Sequence, residues 1–373
     1  MAKRSTRGVS PDHKNRISRC RRAYKKLGAD AMLVTNDRDY FYLTGFTGED
    51  SAVIVTSREV CVVTDRRFET QVVKDCPWAR VHMRSGLLYA GIAAACRELR
   101  IRKLAFQADH TTLSGHGDLN EATRGIRLVA SSGIVTGLRV KKSPGEVRAM
   151  VKAIRVAEAA FTATVKTIKI GQTELEMAAR LEYEMKCRGA SAPSFSTICA
   201  EGPNAALPHA HPGSRRVKSG SAVLFDWGAC VGGYGSDLTR MVFVGSIPPK
   251  LRRVYEVVLE AQLAAIRELR PGRRMCDVDA VARGLIEQAG FGEQFSHGLG
   301  HGLGLDVHEA PSLSWRSDSK LEPGMLVTVE PGVYLPGVGG VRIEDDVLIT
   351  KTGRRVLSRL DKTLRGAVVR RGK

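Results

Sequence analysis

Hydrophobic positions along the first 140 residues switch between two periods. Ile17, Cys20, Tyr24 and Leu27 recur at three- and four-residue intervals with Arg and Lys between them, the spacing of one helix face. From about residue 30 come short β-branched runs (AMLVT, FYLTGF, SAVIVTS, EVCVVTD), then RFETQVVKD, LLYAGIAAACREL, KLAFQ and IRLVAS. This alternation predicts an α/β domain with its own sheet. Near residue 140 the pattern changes. Ser143 is placed as an N-cap, Pro144 stands in the first turn, and Glu146 closes a capping box. Val147, Met150, Val151, Ile154 and Ala157 then mark the apolar face of a long helix. The chain is therefore expected to divide into residues 1–140 and 141–373.

In the second part, helical stretches at 144–168, 173–189, 249–270 and 276–289 interleave with paired strands. The pattern predicts an α+β domain, a curved antiparallel sheet whose helices cover one face and leave the other free for polar groups. Two similar halves, each a helix pair followed by a hairpin with two acids, suggest an internal duplication.

Those acids are the informative feature. Asp226, Asp237, His301, Glu330 and Glu344 lie in AVLFDWGA, GSDLTRMVFV, HGLGHGLGLDVHE, MLVTVEPGVY and GGVRIEDDVLI, apolar strands or glycine-rich turns where an unpaired carboxylate costs several kcal/mol to bury. A hairpin centred on Val231-Gly232-Gly233 would set Asp226 almost opposite Asp237, and one centred on Gly337 would set Glu330 opposite Glu344. Facing like charges repel unless a cation lies between them. Carboxylate and imidazole donors without thiolate favour Mn²⁺ first, then Co²⁺, Zn²⁺ or Fe²⁺. Two such ions can share one water, lower its pKa toward neutrality and polarise a scissile carbonyl. His297 and His301 are four apart, but Gly298 and Gly300 disfavour a helix and no Glu follows His297, so the helical zinc motif does not fit. The glycines are expected to let backbone approach a metal or substrate.

Pro208-His209, FDWGA with DLTR, HGLGHGLGLDVHE, VEPGVY and GVRIEDD resemble, in order, the proline-specific metallopeptidases of the pita-bread fold, family M24: the Xaa-Pro aminopeptidases and Xaa-Pro dipeptidases. The N-terminal NDRDYFYLTGFTG and VVTDRRFETQ resemble the smaller, creatinase-like domain of that family. The resemblance implies that Asp226 binds one metal, His301 and Glu330 the other, and that Asp237 and Glu344 bridge both. It implies that His209 and His308 contact substrate and stabilise the tetrahedral intermediate, as donors to an oxyanion or as a proton shuttle to the leaving amine. Glu330 would also accept the proton of the attacking water. His297 joins the candidate catalytic set, against the alternative of a satisfied core histidine; His211 is set aside in favour of His209. Arg342, two residues from Glu344 and on the same strand face, is expected to steer that carboxylate, against the alternative of a surface arginine. Asp345 and Asp346 are read as decoys, solvated or paired. The full ligand set separates the chain from creatinase, which shares the fold without it.

The expected function is an Xaa-Pro aminopeptidase acting through a metal-bridging water on short peptides with proline second. The alternatives are an Xaa-Pro dipeptidase, a methionine aminopeptidase, and a non-catalytic scaffold that binds nucleic acid or protein through basic ends. The formal charge is +19, but residues 1–26 hold ten Lys/Arg against one acid and residues 351–373 nine against one, leaving about +2 on the 324 between. That location counts against nucleic acid as a partner of the catalytic body. Without a long apolar run or signal-peptide core, the expectation is a cytoplasmic protein not associated with a membrane. Eight scattered cysteines without a C-x-x-C pair are read as reduced thiols. A homodimer is expected by resemblance alone.

Overall fold

The structure is a computed structural model that describes residues 9–369; parts of both basic runs, residues 1–8 and 370–373, lie outside it. The chain forms two compact units, Met1–Arg139 and Val140–Lys373.

Unit 1 runs α1 (Pro11–Lys25), β1 (Ala31–Val34), α2 (Asp37–Thr44), β2 (Ala52–Thr56), β3 (Val60–Thr64), α3 (Glu69–Asp75), β4 (Arg80–Met83), α4 (Leu88–Glu98), β5 (Lys103–Gln107), α5 (Leu113–Ala122), β6 (Arg127–Ser131) and α6 (Ile134–Arg139). Its strands build one six-stranded mixed sheet in the order β4-β3-β2-β1-β5-β6. FYLTGF departs from expectation: it lies mostly in α2. Asn36 caps that helix through its side chain and Gly45 closes it in the left-handed region at φ 80°, so local capping overrides the β-propensity of the run. In α1, Ile17, Cys20 and Tyr24 are buried as the period requires, while Leu27 falls beyond the helix end and is exposed. Arg16 is an exception to the basic outer face; it is buried, donating to the Tyr42 carbonyl at 2.8 Å.

Unit 2 begins with α7 (Pro144–Val165) and α8 (Glu174–Cys187), each opened by a complete capping box, at Ser143/Glu146 and Thr173/Glu176. Then come β7 (Ala192–Pro193), β8 (Ile198–Glu201), a 3₁₀ turn at Gly202–Ala206, β9 (Ala222–Trp227), β10 (Ala229–Cys230) and β11 (Leu238–Val244). A second helix pair, α9 (Pro249–Glu268) and α10 (Met275–Gln288), precedes β12 (Gly300–Gly302), β13 (Glu309–Leu313), β14 (Leu326–Val329), β15 (Gly332–Leu335), β16 (Gly339–Arg342), β17 (Asp345–Ile349), β18 (Arg354–Val356) and β19 (Val368–Val369). The larger sheets have the orders β19-β11-β9-β8 and β13-β12-β14-β17-β18. Each half is thus a helix pair followed by antiparallel strands, the repeat the sequence suggested. One core packs α7 and α8 on β9 and β11, with Phe161 stacked on Trp227 at 4.3 Å; a second packs α9 and α10 against strands of both larger sheets, among them Leu224, Phe243, Val327 and Val347. Together they seat the strands that carry the polar face.

The second predicted hairpin holds its register. Leu326 pairs with Leu348 and Gly332 with Arg342, so Glu330 and Glu344 stand opposite one another at the break between the β14/β17 and β15/β16 segments, and Gly337 takes φ 74° in the turn. The first slips by two. Asp226 faces Thr239, not Asp237, because residues 228–237 form an irregular excursion that includes the short β10 pairing with β7. A two-residue slip keeps Asp226 and Asp237 on the same face, as diagonal neighbours. All eight cysteines are free thiols, five of them buried. Among the described residues no helix is long and apolar enough to cross a membrane.

Candidate metal centre and active site

All five predicted ligands line one cavity of ≈ 820 Å³ in unit 2, together with His209, His211, His297, His308, Tyr334 and Arg342. One ligand atom each of Asp237, His301 and Glu344 lies within 4.8 Å of the others. His301 Nε2 is 3.6 Å from Asp237 Oδ2 and 3.3 Å from Glu330 Oε1. The imidazole's far side is fixed, since Nδ1 donates to its neighbour's carbonyl, Gly302 O, at 3.0 Å, which leaves Nε2 as the nitrogen that faces the acids.

Backbone packing sets these positions. His301 occupies the middle of β12 because both flanking positions lie against other backbone: a Cβ at Gly300 would sit 2.1 Å from Thr328 O, and one at Gly302 would sit 2.3 Å from Ala310 O. The glycines therefore serve close approach between strands, not the approach to metal or substrate that the sequence suggested. Two threonines tie these side chains together. Thr328 Oγ1 accepts from His301 N–H at 3.0 Å and donates to Glu330 at 3.2 Å. Thr239 Oγ1 donates to Glu344 Oε2 at 2.7 Å and accepts from Arg342 Nε at 3.1 Å.

Arg342 corrects an expectation. Its guanidinium pairs with Asp226 Oδ2, not with Glu344, which it reaches only through Thr239. The same side chain donates to Tyr334 Oη at 2.7 Å and to Pro208 O at 3.3 Å. Tyr334 in turn contacts His297 Nε2 at 2.9 Å, while His297 Nδ1 donates to Gly298 O at 2.8 Å. Both His297 nitrogens are thus engaged inside the protein. His308 packs edge-on against His301 with ring centroids 4.3 Å apart, and His209 and His211 are exposed at the cavity.

Asp345 and Asp346 are buried, so neither is solvated. Asp345 points away from the cavity, into Arg240, Lys362 and Gln262. Asp346 lies under the site, its Oδ2 accepting the amide N–H of Asp237 at 3.3 Å.

Without metal this cluster is electrostatically frustrated. Burial pushes the carboxyls of Asp237 and Glu344 well above the usual carboxylate range, and neighbouring carboxylates push them further. Asp226 is raised by burial although Arg342 opposes it. Glu330 moves the other way: burial opposes ionisation, but the bond from His301 and its charge bring the carboxyl down to about 2. Burial alone would lower His301, and the bond to Glu330 reverses this and raises it. Burial lowers His297 and His308, disfavouring their charged forms.

Whether a divalent metal fits can be judged from the oxygens. Asp226 Oδ1, Glu344 Oε1 and Asp346 Oδ1 are buried with no hydrogen-bond partner. Two belong to predicted ligands, in a cluster of hard donors whose charge Arg342 and His301 compensate only in part. The residues fit divalent cations.

The matches to known proteins agree. Residues 148–351 match the model of metallopeptidase family M24, and residues 16–141 match that of the creatinase/prolidase N-terminal domain. This chain belongs to metallopeptidase family M24. The M24 chain is 36% identical over 349 residues to the uncharacterised peptidase YqhT of Bacillus subtilis, covering 94% of this chain and 99% of that one. It is similar in structure to an Xaa-Pro dipeptidase from Bacillus anthracis (TM-score 0.92, 38% identity, 96% and 100% coverage) and to an X-Pro aminopeptidase from Thermotoga maritima (0.87, 34%, 94% and 99%). It carries the pita-bread domain with a creatinase-type N-terminal domain.

Sequence reasoning missed Thr239, Thr328 and Tyr334 in this M24 site. The signal was present: Asp237-x-Thr239 and Thr328-x-Glu330 place a hydroxyl two residues from an acid, hence on the same strand face. Tyr334, four residues past Glu330, had no such cue, because it reaches Arg342 across the β15/β16 hairpin.

Proposed function

We propose that this M24 chain is a dinuclear metal-dependent peptidase that hydrolyses the Xaa-Pro bond at the N-terminus of short peptides. The observation that carries this reading is the set of convergent carboxylates with unpartnered oxygens around His301 Nε2 on the cavity floor. By resemblance, Asp226 would hold one ion, His301 and Glu330 the other, and Asp237 and Glu344 would ligate both; bound ions would supply Lewis acidity and acidify a water toward neutrality. Glu330, held ionised by His301, is the base that takes the water's proton on its carboxylate. His308 and His209, at the cavity wall, donate to the oxyanion that develops on the scissile carbonyl. The leaving nitrogen of proline carries no hydrogen and must gain a proton to depart; the proton taken up by Glu330 supplies it, relayed through the same imidazoles. Arg342 fixes Asp226 and the Pro208 carbonyl beside His209, and His297 holds the Tyr334 hydroxyl that supports Arg342.

The aminopeptidase and dipeptidase readings share this floor. The dipeptidase reading has two supports of its own. Xaa-Pro dipeptidase is the name of the Bacillus anthracis structure and of a Pyrococcus horikoshii relative that is 43% identical over 231 residues, 62% of this chain and 66% of that one. In addition, Arg316 at the cavity wall makes no ion pair among the described residues and sits 5.3 Å over the Trp315 ring, a guanidinium free to receive the terminal carboxylate of X-Pro. Rates on X-Pro, X-Pro-Y and X-Ala peptides, with chelated and Mn²⁺-reloaded protein, test both levels. Cleavage of the proline peptides only, restored by metal, supports the reading, and the ratio of X-Pro to X-Pro-Y assigns the class. Salt-sensitive RNA binding without metal-dependent hydrolysis would overturn it in favour of a scaffold. A cytoplasmic homodimer is the assembly proposed, checked by light scattering.

A further inference from the structure

We propose that Glu174, a residue outside the metal centre, positions His209 by clamping both ends of the loop that carries it; the proposal rests on the function given above. Glu174 is the first residue of α8 and is fully buried. Its Oε1 accepts from the Glu201 amide at 2.6 Å and from Asn204 Nδ2 at 2.9 Å, and its Oε2 accepts from the Gly213 amide at 2.9 Å and Asn204 Nδ2 at 3.1 Å. Glu201 is the last residue of β8 and Gly213 lies on the returning strand of chain, so one carboxylate closes the loop over residues 202–212 at its base. Among the described residues Glu174 makes no ion pair. Its partners are neutral N–H groups, and a charge this deeply buried is tolerated because each oxygen is doubly satisfied.

The loop depends on that closure. After the 3₁₀ turn at Gly202–Ala206, its internal backbone bonds are Leu207 N–H to Asn204 O at 3.0 Å and Ala210 N–H to Leu207 O at 3.2 Å. Its outer attachment is Pro208 O, which receives Arg342 Nη1. His209 is the next residue, exposed and at the cavity wall. Its reach is therefore set by two side-chain anchors, Arg342 from the floor and Glu174 from the base, beside the backbone bond from Leu175 N–H to Gly213 O at 3.1 Å and the close packing of Ala205 O on Gly340. A catalytic side chain must be held within about 0.5 Å, and misplacement by about 1 Å can cost roughly 100-fold in rate. Glu174 acts through His209 and touches no reacting atom, so it is a positioning residue.

The test uses metal-loaded full-length Glu174→Gln, which keeps the shape but replaces one acceptor oxygen by an NH₂ that cannot receive an amide N–H. Expected are a roughly 10-fold lower kcat on the X-Pro substrate, KM changed by less than about 3-fold, and unchanged metal content. Amide hydrogen exchange should accelerate at Glu201 and Gly213 while α8 and β9 stay protected. The double variant Glu174→Gln/His209→Ala should be as slow as His209→Ala alone. Multiplying effects, a kcat within about 2-fold of wild type, or exchange that accelerates across α8 and β9 together would overturn the proposal. If Glu174→Gln does not fold, Asn204→Ala removes two of the four bonds from the loop side and must show the same non-additivity with His209→Ala. Absence of X-Pro hydrolysis by wild type would refute the function itself, whereas intact wild-type turnover with multiplying variants would refute the clamp alone.

Discussion

Replacing Arg342 with methionine removes the buried guanidinium that binds Asp226, Thr239, Tyr334 and the Pro208 carbonyl. The side chains of Arg342 and Asp226 are 3% and 13% exposed, so the pair is buried in the sense that matters energetically. Deleting one partner of such a pair costs about 3–5 kcal/mol, because the surviving charge is left unmatched. Asp226 can escape by protonation, since burial already raises its carboxyl. A carboxyl raised in the folded state leaves stability intact below its unfolded pKa and removes it as pH rises through the folded value. The loss in metal-free protein should therefore be about 4 kcal/mol near pH 8 and shrink toward pH 5. Divalent metal should roughly halve the loss at pH 8 by supplying the missing positive charge. Urea midpoints of wild type and variant, with EDTA and with Mn²⁺ at both pH values, measure this. A loss below about 1 kcal/mol in EDTA at pH 8, or one that grows on acidification, would refute the reasoning.

Three further outcomes follow from the same geometry. In wild type, the carboxyls of Asp237 and Glu344 are raised by burial, so the metal-free protein should lose stability as pH rises above the ordinary carboxylate range, and the gap in Tm between metal-loaded and chelated protein should widen from pH 5 to 8; a gap independent of pH contradicts it. Glu344→Gln should stabilise the chelated protein at pH 8 by removing one repelling charge, yet lower peptidase rate by at least about 100-fold, a sign reversal readable from calorimetry beside kinetics. Gly300→Ala places a methyl 2.1 Å from Thr328 O and should cost about 1–3 kcal/mol while displacing His301; retained metal affinity in that variant would show that β12 has slack where the packing shows none.

The convergence of Asp226, Asp237, His301, Glu330 and Glu344 on one cavity was legible in the sequence because acids within apolar strands are costly, and the Gly337 midpoint correctly placed Glu330 opposite Glu344. The same midpoint reasoning failed for Asp226 and Asp237, where an irregular excursion moved the register to Thr239, a change that hydrophobic periodicity does not register. Arg342 was recognised as a site residue but assigned to the neighbouring acid on its own strand; its partner comes from another strand, and such contacts have no signature in sequence spacing. FYLTGF was misread because caps at Asn36 and Gly45 outweigh a β-prone interior. Asp345 and Asp346 differ for a further reason: strand alternation shows that they face opposite ways, but only the packing shows that both sides are interior.

In the proposed function, the converging acids and His301 are held together for divalent cations. Anomalous diffraction from crystals soaked in Mn²⁺ tests it most directly. Two Mn²⁺ peaks per chain are expected among Asp226, Asp237, His301, Glu330 and Glu344, with loss of both in Asp237→Ala. Absence of any peak there, or peaks that persist unchanged in that variant, would contradict it.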